Sequence, residues 1–392
     1  MVVLTGARQV GKSTLLQHEK PFSGWRYISL DDFDALHQAA RDPAALWARE
    51  DRVVLDEVQR SPRLLSAVKQ RVDRKRPKVS FILSGSANLL LMHQASESLA
   101  GRAVYFALSP MTQGEMHGRP APEWIAKLLK GKMPEEGRVK TPAKEPVALI
   151  VRGFMPALLT LSRREAVIRS WEGYVATYLE RDLRQISQIG ALAEFRRLME
   201  TVALRSGQML NQTEVARDIG LSQPTVHRYL NMLEGTHLLE RLPAFARHRT
   251  KRLMKSPKVY CVDPGLAAYL AGHHDAGALR SAREAGGLFE SVVLLHLRAL
   301  TQLLTPRPRL SYWRTVSGKE VDLVIEQGRK LLAVEIKLTS NPRYGDAERL
   351  RLFLEEYPEA LAGLLVYAGG EIKYLGEKIV ALPWHLLSGE IS

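Results

Sequence analysis

Gly6-Ala7-Arg8-Gln9-Val10-Gly11-Lys12-Ser13 has the residue types and spacing to hold phosphate. Its glycines let backbone N–H groups close around phosphate oxygens with no Cβ in the way. Lys12 would reach the β- and γ-phosphates, and the Ser13 hydroxyl would hold Mg2+. The run Val2-Val3-Leu4 before the loop predicts a strand, and Ser13-Thr14-Leu15-Leu16-Gln17 after it predicts a helix. The start of that helix adds unpaired N–H donors and the positive end of its dipole. Gly6 to Thr14 are therefore the expected nucleotide contacts, with ATP and Mg2+ as ligands. The loop begins almost at residue 1, where such domains usually carry upstream residues that help hold the base. A truncated or late-started chain, with weakened nucleotide affinity, is the expectation.

A second set of residues fits the same chemistry. Val53-Val54-Leu55-Asp56-Glu57 is an apolar strand that ends in two carboxylates. Asp56 would hold the Mg2+ shell, and Glu57 would orient or activate the attacking water. Strand Val79-Ser80-Phe81-Ile82-Leu83-Ser84 runs into Gly85-Ser86-Ala87-Asn88. Ser84, Ser86 and Asn88 are candidate γ-phosphate sensors, with Ser86 equally placed as an ordinary helix cap. Arg102, in Leu99-Ala100-Gly101-Arg102, could stabilise transition-state charge in its own subunit or a neighbour's, or simply pair at a helix end.

Near the C-terminus, Asp322 and Glu335-Ile336-Lys337 lie on consecutive expected strands. Glu335 and Lys337 stand two apart, so both face one side of their strand. Asp322 and Glu335 would bind Mg2+ through hard oxygen ligands, with Glu290 as an extra acid from a helix. Such a metal would lower the pKa of a water and neutralise charge on a phosphodiester, with Lys337 orienting that water. An ion-pair cluster on an edge hairpin is the structural alternative.

Residues 211–233 have the pattern of a helix-turn-helix. Asn211 to Gly220 gives a helix and its glycine stop, Leu221-Ser222 a turn, and Pro224 a first-turn position of the next helix. Val215, Ala216, Ile219, Val226, Leu230 and Leu233 would form its core. Gln223, Thr225, His227 and Arg228 would face outward, able to reach base edges or phosphates. Strands near 238–242 and 258–262 would flank a basic wing that carries Arg249, Lys251 and Arg252, suited to a phosphate backbone.

The elements that must position these residues follow an α/β pattern with a parallel sheet over residues 1–118. A Lys-, Pro- and Gly-rich stretch over 119–147 predicts an exposed basic insertion or loop. Residues 148–205 are helical in pattern, 206–272 form the winged helix-turn-helix, and 283–392 an α+β unit. The 392 residues are 45% hydrophobic, enough for packed cores, and carry a formal charge of +14, which favours polyanionic partners such as DNA. The single cysteine, Cys261, excludes an internal disulfide framework. No apolar run approaches the ~18 residues of a membrane span. No secretory leader is evident, and a cytoplasmic protein without membrane contact is expected.

Several of these motifs together resemble the prokaryotic AAA-superfamily ATPases that carry a C-terminal domain of unknown function. The resemblance rests on Gly6 to Ser13, Tyr27-Ile28-Ser29-Leu30-Asp31-Asp32, Leu55-Asp56-Glu57-Val58-Gln59, Ser84-Gly85-Ser86 and Ser98-Leu99-Ala100-Gly101-Arg102. It continues in Gly153-Phe154-Met155-Pro156, Tyr178-Leu179-Glu180-Arg181-Asp182 and Val262-Asp263-Pro264-Gly265-Leu266. It implies ATP binding and hydrolysis, a winged-helix middle and a C-terminal fold similar to PD-(D/E)xK nucleases. The expected activity is that of a DNA-associated ATPase, with metal-dependent nuclease activity left open and a homo-oligomer allowed. The alternative is a non-cleaving, ATP-dependent switch that binds DNA or protein.

Overall fold

The computed structural model describes residues 1–74, 79–85, 101–139, 145–178, 192–247 and 255–389. The chain forms two compact units rather than a linear row of domains. One joins Met1–Ser109 with Val175–Leu192 and Arg228–Leu238; the other joins Pro110–Tyr174, Ala193–His227 and Leu239–Ser392.

The first unit holds β1 (Val2–Gly6), β2 (Arg26–Ser29), β3 (Arg52–Asp56), β4 (Ser80–Ser84) and β5 (Val104–Leu108). They pair in parallel in the order β2-β3-β4-β1-β5, at the positions the sequence predicts. Val53, Val54 and Leu55 are fully buried, as a strand covered on both faces requires. On one face Leu16, from α1 (Lys12–His18), packs with Leu4, Val54 and Ile82. On the other, Leu64, Leu65 and Val68 of α3 (Pro62–Asp73) pack with Val53, Leu55 and Phe81. Between these helices runs α2 (Phe33–Arg41), capped by Asp32, whose carboxylate accepts from Ala35 N–H at 2.8 Å. Parallel pairing brings the C-terminal ends of β1, β3 and β4 to one edge, so the Gly6 loop, Asp56 and Ser84 meet there.

The second unit centres on a seven-stranded sheet in the order β10-β11-β12-β13-β15-β14-β6. The expected C-terminal strands are β10 (Arg309–Arg314), β11 (Glu320–Gln327) and β12 (Lys330–Lys337), joined antiparallel. Parallel strands β13 (Ala362–Tyr367) and β15 (Ile379–Pro383) extend it, then antiparallel β14 (Glu371–Gly376). Helix Ala285–Gln302 packs on it through Phe289, Val292 and Val293, all fully buried.

The stretch 119–147 corrects an expectation. It is not an exposed loop among its described residues. Helix Trp124–Leu128 buries Trp124, Ile125 and Leu128 in the main core, and the Trp124 indole N–H donates to Leu386 O at 3.1 Å. Strand β6 (Gly137–Arg138) then extends the sheet edge beside β14. Polar and Pro-rich composition masked an apolar anchor of a few residues.

Helices Gln212–Ile219 and Gln223–Gly235 stand where the spacing predicts, with Gly220 left-handed at φ 69° between them. Val215, Val226 and Leu230 are fully buried. Strands β7 (Gln208–Met209), β8 (Leu239–Leu242) and β9 (Lys258–Cys261) form a small antiparallel sheet in the order β7-β9-β8.

His296 is a buried polar tie in the second unit. Its Nε2 accepts from Gln113 N–H at 2.9 Å, and its Nδ1 donates to Val292 O at 2.8 Å. Burial pushes this imidazole down to about 4. A depressed histidine destabilises the fold as acid charges it, so its contribution is intact above the ordinary value near 6.5 and lost as pH falls toward 4. We expect that loss to reach about 3 kcal/mol by pH 4. Urea unfolding at pH 7 and pH 4.5 should show the fall, and a His296→Gln variant should flatten it.

Candidate nucleotide site

The phosphate loop is built by backbone constraint. Gly6 has φ +144°, and a Cβ there would lie 2.4 Å from Leu108 O. Gly11 has φ +92° at the start of α1, and Gln9 is also left-handed at φ 63°. These angles curl the chain so that its N–H groups turn inward, the geometry of an anion nest. Lys12 is buried, and its ammonium donates to Gly6 O at 3.0 Å and Ala7 O at 2.8 Å. Ala7 and Val10 are buried, Ser13 and Arg8 half-buried, and Gln9 and Thr14 exposed.

Asp56 lies at the end of β3 and is 2% exposed. It receives three donors. The Ser13 hydroxyl donates to its Oδ2 at 2.7 Å, the Tyr27 hydroxyl donates to the same oxygen, and Glu57 N–H donates to Oδ1 at 3.0 Å. Burial, then the Asp56 carboxylate, pushes the Tyr27 phenol up to about 12, so it stays a donor. Glu57 follows with a left-handed backbone at φ 53°, and its carboxylate accepts from the Gln59 amide. Ser84 ends β4, between β1 and β3, where its fully buried hydroxyl has no hydrogen-bond partner among the described residues. Ser86 and Asn88 lie outside the described residues.

These residues fit a nucleotide and its metal. A loop with glycine at Gly6 and Gly11, a hydroxyl beside a carboxylate and an unsatisfied Ser84 hydroxyl are the donor and acceptor set that triphosphate and Mg2+ ask for.

Arg102 is a correction. It forms an exposed ion pair with Asp73, at the end of α3. Val104, two residues on, pairs with Val2 at the start of β1, whereas the phosphate loop leaves at Gly6. Five strand residues span about 16 Å. Arg102 therefore sits at the far end of the sheet and does not serve its own chain's loop.

Two contributors escaped the sequence reading. Tyr27 was visible only as a strand residue; nothing in its neighbours announces an Asp56 contact. His237 is left-handed at φ 57°, and its Nε2 is buried with no partner among the described residues. Burial, then the Lys12 ammonium, holds this imidazole below its ordinary value. A histidine after the glycine that ends a helix gives no local signal of a neighbour more than 200 residues earlier.

The C-terminal acids meet differently. Lys258, 1% exposed, sends its ammonium to Glu290 Oε2 at 2.9 Å, Glu320 Oε1 at 2.9 Å and Asp322 Oδ1 at 3.5 Å. Ile336 N–H donates to Asp322 Oδ2 at 2.8 Å. Glu335 is fully buried, and its Oε1 takes Lys337 at 2.8 Å and Arg349 at 3.0 Å. Burial, then Asp322, pushes Glu290 up to about 8 and Glu335 up to about 7. Among the described residues, no group of three or more His, Cys, Asp or Glu is placed to hold a metal ion.

Of the expected nucleic-acid contacts, Gln223, His227 and Arg228 are exposed. Thr225 shares its hydroxyl with Ser222 at 2.8 Å, and His227 Nδ1 meets Gln212 Oε1 at 3.2 Å. Arg249, Lys251 and Arg252 lie outside the described residues. No helix among the described residues is long and apolar enough to cross a membrane.

Comparison with known proteins bears on the domains of the chain. Residues 1–117 match the AAA domain family, 144–276 a domain of unknown function (DUF8612), and 285–387 another (DUF4143). The uncharacterized protein Rv2008c of Mycobacterium tuberculosis is 32% identical over 386 residues, covering 98% of this chain and 80% of that protein. The uncharacterized protein Mb2031c of Mycobacterium bovis matches with the same identity and coverage. Similarity at that level along nearly the whole length places this chain in the family of those mycobacterial proteins, with an AAA-type ATPase domain at its N-terminus.

Proposed function

We propose that this chain binds ATP with Mg2+, hydrolyses it, and works in association with DNA. The contact between the Ser13 hydroxyl and the Asp56 carboxylate, at 2.7 Å, carries the reading. These are the two protein oxygens that a nucleotide-bound Mg2+ needs, brought together from helix α1 and strand β3. When bound, the ion would neutralise phosphate charge. Lys12 turns from the Gly6 and Ala7 carbonyls to the phosphates. Glu57 orients the attacking water, and the Ser84 hydroxyl reads the γ-phosphate.

DNA association is supported by the net charge of +14 and the exposed Gln223, His227 and Arg228 on a helix that follows a tight turn. A winged helix-turn-helix is the reading that joins these residues to the β7-β9-β8 sheet.

The test is phosphate release by the full chain with Mg2+, beside Lys12→Ala, and gel retention of duplex DNA across a salt series. Release that Lys12→Ala abolishes, with retention that weakens steeply as salt rises, supports both halves. No release would remove the ATPase reading; salt-insensitive behaviour without retention would replace DNA by a protein partner. Tyr27→Phe deletes one neutral donor to Asp56, worth about 1 kcal/mol. We expect it to move the Mg2+ dependence of release by a few-fold, measured at fixed ATP.

A further inference from the structure

Lys258 reaches the C-terminal acids from β9, a strand outside the sheet that carries Asp322 and Glu335. Its side chain is 1% exposed, which for a lysine demands close partners. It has them: two carboxylate oxygens at 2.9 Å and a third at 3.5 Å. Tyr260, two residues along β9 and so on the same strand face, donates to Glu290 Oε2 at 3.1 Å. One short strand thus delivers an ammonium and a phenol to one carboxylate.

We propose that the Lys258 ammonium is the resident cation of this carboxylate cluster, occupying the place that a divalent metal would take, so that the C-terminal unit binds no catalytic metal and does not cut nucleic acid. The inference is independent of the ATPase reading.

Three observations support it. A divalent ion such as Mg2+ needs carboxylate oxygens within about 2.1 Å. The Lys258 ammonium already stands 2.9 Å from Glu290 Oε2 and 3.5 Å from Asp322 Oδ1, so a divalent ion shared by those two oxygens would have to compete with it for them. Second, the oxygens are spent: Asp322 gives Oδ1 to Lys258 and Oδ2 to Ile336 N–H, and Glu335 gives Oε1 to Lys337 and Arg349. Glu335 Oε2 has no partner among the described residues, but one oxygen is a poor divalent site. Third, the charges close without a metal. Glu290, Glu320, Asp322 and Glu335 face Lys258, Arg314, Lys337 and Arg349. Adding a divalent ion would leave these eight groups with excess positive charge.

The experiment counts Mn2+ bound to the full chain, without nucleotide, from the free Mn2+ signal in electron paramagnetic resonance. Wild type is compared with Asp322→Asn, so that ions held near Asp56 cancel. Equal counts are expected, together with intact supercoiled plasmid in millimolar Mn2+. A site present in wild type and lost in Asp322→Asn would overturn the proposal, as would nicking that Asp322→Asn abolishes. A third protein, Lys258→Met, removes the ammonium and keeps the apolar stem. If its circular dichroism is native, it should gain one Mn2+ per chain, and a second change, Asp322→Asn, should remove it again. A folded Lys258→Met that gains none would show that the ammonium is not what excludes metal. If that variant does not fold, the comparison of wild type with Asp322→Asn decides alone.

Discussion

Glu57→Gln should leave ATP bound and nearly unhydrolysed, with phosphate release lowered by about 10²–10⁴-fold, the range for loss of a positioned general base. The backbone shows why this residue is the one to change. Glu57 adopts φ 53° directly after β3, a conformation that costs a residue with a Cβ about 1–2 kcal/mol. Glycine would adopt it freely. The chain instead keeps a carboxylate there, one residue beyond Asp56, with the Gln59 amide holding its oxygen. Glu57→Gly is the informative companion. It should relieve the backbone and raise thermal stability slightly, while release falls as far as in Glu57→Gln. Fluorescent-nucleotide binding beside phosphate release separates the two effects. Release within a few-fold of wild type in both variants would remove Glu57 from the chemistry.

The second large effect concerns stability. Gly265→Ala should destabilise the second unit by about 3–4 kcal/mol, because the new methyl has only backbone to displace. A Cβ at Gly265 would lie 2.3 Å from Gly153 Cα, 2.6 Å from Gly153 N and 3.0 Å from Ile150 O. Gly153 cannot retreat, being at φ +90° with its own Cβ position 2.6 Å from the Trp171 ring. Asp263 locks the two segments: its Oδ2 accepts from Phe154 N–H at 3.0 Å and its Oδ1 from Gly265 N–H at 2.7 Å. The urea midpoint should drop at unchanged slope. An unchanged midpoint would mean that the crossing of these two segments is looser than its distances.

This crossing also measures how much the sequence reveals. Gly153-Phe154-Met155-Pro156 and Val262-Asp263-Pro264-Gly265-Leu266 stand out as motifs, yet only the fold shows them to be two halves of one contact. The phosphate loop is legible because all of its chemistry is contiguous: the glycines, Lys12 and Ser13 act on one another within one turn. The strand ending at Asp56-Glu57 is legible because burial on both faces writes itself as Val53-Val54-Leu55. Contacts between distant segments are not. Tyr27 meets Asp56 through the pairing of β2 with β3, and Lys258 meets Asp322 across two different sheets, and no local pattern encodes either contact. Lys258 carried one faint signal. It opens the apolar strand Lys258-Val259-Tyr260-Cys261 two residues before Tyr260, and a lysine at a strand start ordinarily passes for a solvated end. Residues 119–139 failed for the opposite reason, since their composition is that of a loop while Trp124 and Leu128 anchor a core.

The first unit is assembled from three stretches of chain, and Tyr178 ties two of them by its hydroxyl to Thr236 at 2.8 Å. A ribosome delivers those stretches in order. The five-stranded sheet can form early in synthesis, but its last pieces arrive only once Leu238 has cleared the exit tunnel. Until then the first unit lacks two of its three stretches. A fragment ended near residue 117, where the recognisable ATPase sequence stops, would remain in that state permanently. Its nucleotide loop would be whole, yet His237 and the segment around Tyr178 would be missing, so such a fragment would be a nascent-chain intermediate rather than a minimal enzyme.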